Sequence, residues 1–294
     1  MSTGHRTDVV LAADGTPISF HTHRDSGGST VLLTNGIGTT ANFWRFLVAD
    51  LVTDHTVVHW DYRGHGQTPV AASGDYGLRT LADDLARVTR KVMERDGRPP
   101  VHVAFSMGVA VLLELHRNHP ELVRAMALVA GAPDAPGVGT WLFRIPGSLK
   151  ALRTAVALTT PVVPLVAPVV KAFLRSRLPY PLARMAGVLQ AGASRHDIDE
   201  FLNGVASMDP LAYWQTLRGL LGASGSDVLP MVKVPTLIIA AAQDMLMPVE
   251  QLEAMRRGLP HAKFVLIDQA GHAGLVEKGP EMAAAVRELL GSLP

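Results

Sequence analysis

Four stretches of this 294-residue chain end an apolar run on a group that could do chemistry. In "VHVAFSMGVAVLL" (residues 101–113), Ser106 stands between two apolar segments. "VPTLIIAAAQD" ends on Asp244, and "AKFVLIDQAGH" ends on His272. "STVLLTNGIG" runs into Asn35, Gly36, Ile37 and Gly38. A serine hydroxyl is a poor nucleophile at neutral pH and needs a base; imidazole, with an ordinary pKa of about 6.5, takes and returns a proton readily. The imidazole in turn needs a carboxylate to fix its tautomer and stabilise its cation. The oxyanion formed when a carbonyl is attacked needs preorganised N–H donors, which a loop such as 35–38 can offer. Asp134, at the end of "RAMALVAGAPD", is the rival acid; Asp244 is preferred.

These groups matter only if the chain brings them together, which depends on the elements that carry them. "TDVVLA" and "PISFHTH" flank an Asp-Gly turn and read as a hairpin. "STVLLT", "HTVVHW", "VHVAF", "RAMALV", "VPTLIIAA" and "AKFVLI" read as buried strands, separated by helical patterns. In "RTLADDLARVTRKVMERDG", Leu81, Leu85, Val88 and Val92 fall on one helical face and Gly97 follows its end. Strands alternating with helices predict an α/β fold: a mostly parallel central sheet with helices on both faces. In such a sheet reactive groups gather at the carboxyl ends of the strands, where Ser106, Asp244 and His272 all stand. Residues 1–133 and 231–294 form the expected core, and 134–230 reads as an apolar, helical cap inserted between its halves.

The resemblance is then to the α/β-hydrolase fold family, in its capped, serine esterase and lipase-like form. The elbow Ala104-Phe105-Ser106-Met107-Gly108 matches the family's Gly-x-Ser-x-Gly with alanine in first place, and the chain order serine, aspartate, histidine is kept. "DYRGHGQT", Asp61 to Thr68, resembles the family's Asp-x-Arg-Gly-x-Gly-x-Ser stretch. The resemblance implies a catalytic Ser106, Asp244 and His272, with the backbone N–H groups of Ile37 and Met107 as oxyanion donors. Gly36, Trp44, Phe105, Trp141, Phe143, Met185, Leu189, Trp214 and Met245 are the expected substrate-binding residues, with the Val162–Val170 run as a further wall. The expected substrate is a small-molecule carboxylic ester with an apolar acyl or alcohol part. The same triad also serves carbon–carbon bond hydrolases, lactonases, perhydrolases and acyltransferases, and a slow ligand receptor on this fold is the alternative of another class.

Composition narrows the reading further. Lys and Arg number 27 against 26 Asp and Glu, which gives no footprint for nucleic acid. Without cysteine there is neither a disulfide nor a thiolate metal site. No metal and no organic cofactor is expected. His21 and His23 alternate on one strand near Asp25, but a solvated hairpin end is the plainer account. His65 is read as a loop anchor, His102 as a core or edge residue, Asp268 as structural, and His196 as a solvated helix start. The N-terminal stretch lacks the apolar core of a signal peptide, so a cytoplasmic enzyme is expected. Thr154 to Val170 carries no charge but contains Pro161, Pro164 and Pro168, and is expected to be buried or pocket-lining rather than membrane-spanning. Contact with a membrane surface is compatible with this segment but is not set by the sequence, and neither is the oligomeric state.

Overall fold

A computed structural model of the chain describes residues 5–24, 28–135 and 148–293. Eight strands form one sheet in the order β1-β2-β4-β3-β5-β6-β7-β8. The Asp-Gly turn joins β1 (Arg6–Leu11) to β2 (Pro17–Arg24) as an antiparallel hairpin. β2 also pairs antiparallel with β4 (Thr56–Trp60). From β4 through β3 (Thr30–Thr34), β5 (Val101–Phe105), β6 (Ala125–Val129), β7 (Thr236–Ala241) and β8 (Lys263–Ile267), every pairing is parallel.

Parallel strands need crossovers, and the crossovers are helices that cover both faces. Successive side chains of a strand point to opposite faces. Leu32, Val58, Leu128 and Ile238 accordingly belong to one core, with α2 (Leu78–Asp96), α3 (Met107–Asn118) and α9 (Val249–Gly258). Leu33, Val57, Val129 and Ile239 belong to the other, with α1 (Arg45–Leu51) and α11 (Gly279–Gly291). Helix α2 shows why the pattern was readable. Leu81, Leu85, Val88 and Val92 are all buried, each contributing about 1.5–3 kcal/mol by removal from water. Gly97 ends the helix in the left-handed conformation at φ 66°.

Between β6 and β7 the described chain is helical: α4 (Ser148–Thr159), α5 (Val163–Leu174), α6 (Pro179–Met185), α7 (Arg195–Ser207) and α8 (Pro210–Leu221). Ser194 and Asp209 accept hydrogen bonds from Asp197 N and Ala212 N at the N-termini of α7 and α8. A four-residue helix, α10 (Gly274–Glu277), follows β8.

The Thr154–Val170 segment is not buried. Only Val156, Val163 and Ala167 of it are buried, whereas Leu158, Val162, Leu165, Val166, Val169 and Val170 are exposed. Three buried positions at helical spacing suffice to fasten the helix, so its remaining apolar side chains face outward.

Candidate active site

Ser106 is the residue between β5 and α3, at φ 53° and ψ −118°. A non-glycine residue at positive φ is costly unless its surroundings fix it. Here Ser106 N donates to Val129 O on the neighbouring strand at 2.9 Å. The turn also needs α3 to start hard against β3. A Cβ on Gly108 would lie 2.6 Å from Thr34 O and 2.8 Å from Asn35 O, so only glycine fits. Ala104, at the first elbow position, is fully buried and is accommodated with its Cβ.

Ser106 Oγ stands 3.0 Å from His272 Nε2, and His272 Nδ1 stands 2.8 Å from Asp244 Oδ2. With a carboxylate facing Nδ1, that nitrogen carries the proton and Nε2 is free to accept one from the serine. Asp244 is itself held. Its Oδ1 accepts from Leu246 N and Met247 N, both at 2.8 Å, and its side chain is 0% exposed. His272 keeps 18% of its side chain exposed, which leaves its Nε2 edge open to the cavity beside the serine. The Phe105 ring lies 5.3 Å from the imidazole, centroid to centroid. The rival Asp134 is occupied elsewhere, accepting from Gly225 N and Ser226 N.

A cavity of about 900 Å³ opens over this group. Gly36, Ile37, Phe105, Leu189 and Met245, all expected from the sequence, line it with Ser106 and His272. Met107 begins α3, so its N–H has no acceptor within its own helix. The helix dipole adds a partial positive charge at that end, beside the serine. α4 contributes Leu152, α6 contributes Pro179 and Ala183, and α8 contributes Tyr213, Leu217, Leu220 and Leu221. Burial raises the Tyr213 phenol above its usual pKa, so it faces the cavity as a neutral hydroxyl.

Several expected wall residues stand elsewhere. Trp44 is fully buried behind the cavity; its Nε1 donates to Asn35 Oδ1 at 2.6 Å. Asn35 Nδ2 donates to Trp60 O, and Tyr62 Oη donates to Asn35 O. Asn35 therefore anchors the 35–38 loop to β4 and to the 3-10 turn Ala41–Trp44 that leads into α1, rather than bonding within the loop, and Trp44 acts through Asn35. Trp214 turns its Nε1 to Val156 O at 2.9 Å and fastens α8 to α4. Met185 is 84% exposed, and the Val162–Val170 run faces outward. Trp44 and Trp214 are each claimed by a hydrogen-bond partner away from the cavity, while Met185 and most of the 162–170 run face solvent. Trp141 and Phe143 lie outside the described residues.

Glu277 gave no signal in the sequence. Its Oε2 accepts from Gly271 N at 2.6 Å and its Oε1 accepts from Gln190 N at 2.7 Å. It thus ties the loop carrying His272 to the loop after α6. Burial raises its carboxyl above the ordinary range, against the opposing pull of those two N–H groups.

The "DYRGHGQT" turn is structural. Arg63 is buried and bidentate to Asp84, with Nη1 on Asp14 at 2.7 Å. Asp61 accepts from His21 Nε2 and from Gln67 N. A Cβ on Gly66 would lie 2.3 Å from Asp61 Oδ2, so the turn closes only with glycine there. His65 is anchored on Arg63 O, His102 is in the core, and His196 is solvated beside Glu200. Among the described residues, His21, His59 and Asp61 bring three potential metal-ligand atoms within 4.8 Å of one another. The His21 and His59 rings are stacked at 4.4 Å, so their lone pairs run side by side rather than converge. Both nitrogens of His21 already face partners, Thr7 Oγ1 and Asp61 Oδ2. The set does not fit a metal.

Comparison with known proteins accords with this architecture. The alpha/beta hydrolase fold family model matches residues 29–279. A Pseudomonas syringae protein named "Putative carbamate hydrolase RutD" is 25% identical over 277 residues, 94% of this chain and 98% of that protein. Its namesake from Variovorax paradoxus is 28% identical, covering 93% of this chain and 95% of that one. Among solved structures, a thermophilic esterase from Thermogutta terrifontis superposes with a TM-score of 0.76 at 22% identity, covering 99% of each chain. The enol-lactonase of Burkholderia xenovorans superposes with a TM-score of 0.74 at 18% identity, covering 97% of this chain and all of that one.

Proposed function

This chain belongs to the alpha/beta hydrolase fold family, and from that premise we propose that it is a serine hydrolase of carboxylic esters with a sizeable apolar part. The observation that carries the reading is the file Ser106 Oγ, His272 Nε2, His272 Nδ1 and Asp244 Oδ2, at 3.0 and 2.8 Å, on the floor of a largely apolar cavity.

Ser106 Oγ attacks the ester carbonyl as His272 Nε2 takes its proton. Asp244 stabilises the imidazolium, and the carbonyl oxygen, now an oxyanion, accepts from the N–H groups of Ile37 and Met107. The tetrahedral intermediate collapses, the carbon–oxygen bond to the alcohol breaks, and the alcohol leaves with the proton from His272. Water then enters; His272 takes one of its protons, the hydroxide adds to the acyl-enzyme, and the acid leaves as Ser106 recovers its hydrogen. No step uses a metal or an organic cofactor. The segment 134–230 acts as a cap whose helices shape the acyl or alcohol pocket.

The Pseudomonas syringae and Variovorax paradoxus relatives, and others at 24–28% identity, carry the name "Putative carbamate hydrolase RutD". A small carbamate would leave most of a cavity of about 900 Å³ unfilled, and Phe43, Phe201 and Leu202 offer it no hydrogen bond. The cavity therefore favours an ester with an apolar part. The test is a series of p-nitrophenyl esters from acetate to palmitate, with an aryl carbamate beside them. Rates that peak at medium or long chains and vanish in Ser106→Ala support the proposal. Turnover of the carbamate alone, or of no ester by the folded protein, overturns it.

A further inference from the structure

α4, α5 and the turn between them run as one helical stretch, Lys150 to Leu174, and only 17% of its most apolar 18-residue window is buried. Leu158, Leu165 and Val169 are 74%, 77% and 72% exposed. Leu178, Leu182 and Met185 extend the apolar surface along α6. An apolar helix face this broad, left in water, marks a contact surface.

Charge says what kind. Residues 135–196 hold eight Lys and Arg and no Asp or Glu. The rest of the chain holds 19 Lys and Arg against 26 Asp and Glu, a balance of −7. The positive charge is therefore concentrated on the segment that also holds most of the exposed large apolar side chains among the described residues. Lys150, Lys171, Arg175, Arg177 and Arg184 make no salt bridge among the described residues. A second copy of this chain is a poor partner, because a two-fold contact would set these cations against each other. Spanning a bilayer is also a poor fit. Val156, Val163 and Ala167 are buried on the protein side, and Trp214 Nε1 and Arg153 Nε hydrogen-bond between this stretch and α8.

We propose that the outer face of α4, α5 and α6 lies on an anionic phospholipid surface, with its apolar side chains among the acyl chains and its cations at the headgroups. Basic, apolar-faced helices of this kind bind in the plane of the interface. α6 has Pro179 and Ala183 in the cavity wall while Leu182 and Met185 are exposed, so one helix separates the lipid from the cavity. An apolar substrate dissolved in the lipid then has a short path to Ser106. Docking itself does not depend on the proposed chemistry.

The test is co-sedimentation of the full chain with vesicles of equal parts phosphatidylglycerol and phosphatidylcholine, against phosphatidylcholine alone, at low and high salt. Ser106→Ala is run in parallel, so that binding is read independently of turnover. The expected result is binding to the anionic vesicles that weakens with salt. Lys171→Glu with Arg175→Glu should weaken it by roughly fivefold per removed cation or more. Leu165→Asp with Val169→Asp should weaken it at least about tenfold. Lys171, Arg175, Leu165 and Val169 lie outside the cavity, so the two double variants should keep the wild-type rate on a water-soluble short-chain ester. Equal binding to both vesicle types, or wild-type binding by Leu165→Asp with Val169→Asp, overturns the proposal. So does a dimer in sedimentation velocity that the same variant dissolves, since that result assigns the face to a second copy.

Discussion

Two hydroxyl–imidazole–carboxylate files stand in this molecule. Near the end of β5, Ser106 meets His272 and Asp244; across the β1–β2 hairpin, Thr7 Oγ1 meets His21 Nδ1 at 2.9 Å, and His21 Nε2 meets Asp61 Oδ2 at 3.0 Å. The distances hardly differ, but the surroundings do. Thr7 is an ordinary extended residue paired with His21 across an antiparallel ladder, on an exposed edge strand. Ser106 is held at positive φ, begins a helix, and opens into a cavity. The imidazole faces also differ. His21 stacks on His59, while His272 presents its edge to the cavity. On the proposed reading, hydroxyl, imidazole and carboxylate alone do not make a site; the strained turn, the N–H groups beside it and the cavity distinguish Ser106 from Thr7.

The largest effect expected is on chemistry at one file only. Ser106→Ala should lower kcat by roughly 10⁴-fold or more, while Thr7→Ala should leave it within about twofold, both read on a p-nitrophenyl ester. Comparable losses in both would erase the distinction. The acids should separate next. Asp244→Asn should cost about 10³–10⁴-fold in kcat with little change in Tm. Asp61→Ala should do the reverse: a loss of about 2 kcal/mol in thermal unfolding, because the buried His21 Nε2–H and the Gln67 N–H lose their shared acceptor, Asp61 Oδ2, with kcat nearly kept.

A smaller effect concerns pH. Burial and the neighbouring histidines lower His23 to about 4, and burial chiefly lowers His59 to about 3 despite the opposing pull of Asp61. Both are neutral in the folded protein where the unfolded chain, with histidines near 6.5, would already be protonated. The unfolded state then binds more protons, so stability should be full above about pH 6.5 and fall as the pH drops toward 4 and 3. Tm measured from neutral to acid pH should show this decline, and His59→Gln should make it shallower, with the contribution of His23 remaining. The smallest effect is expected at Glu277. As a positioning residue, Glu277→Gln should reduce kcat by roughly tenfold with KM little changed, since the amide places a donor against the N–H of Gly271 or Gln190. An unchanged kcat would remove Glu277 from the support of the base.

The sheet and its functional strand ends were readable because both depend on local pattern: apolar runs of strand length, each ended by a polar group. Ser106, Asp244 and His272 needed no knowledge of packing to be singled out. The wall of the cavity was another matter. Trp44 follows the 35–38 loop, and Trp214 and Met185 lie in the apolar helical segment, but whether such a side chain faces substrate, core or water is decided by elements distant in sequence. Trp44 was claimed by Asn35 and Trp214 by the Val156 carbonyl. The Val162–Val170 run failed as a prediction for the same reason. Its composition matches a buried helix, yet only one side of it found a protein neighbour. Glu277 was invisible because its role lies in backbone N–H groups, which every residue but proline possesses.

Glu277 also bears on how this protein could be engineered. One carboxylate grips the backbone on both sides of the cavity, and the loop after α6 comes so near that a Cβ on Gly192 would lie 2.1 Å from Glu277 O. The helical segment is therefore not an interchangeable module. A chimera that takes its helices from another hydrolase must bring a loop with a free N–H at position 190 and no side chain at 192, or the His272 loop loses half of its scaffold along with the replaced helices.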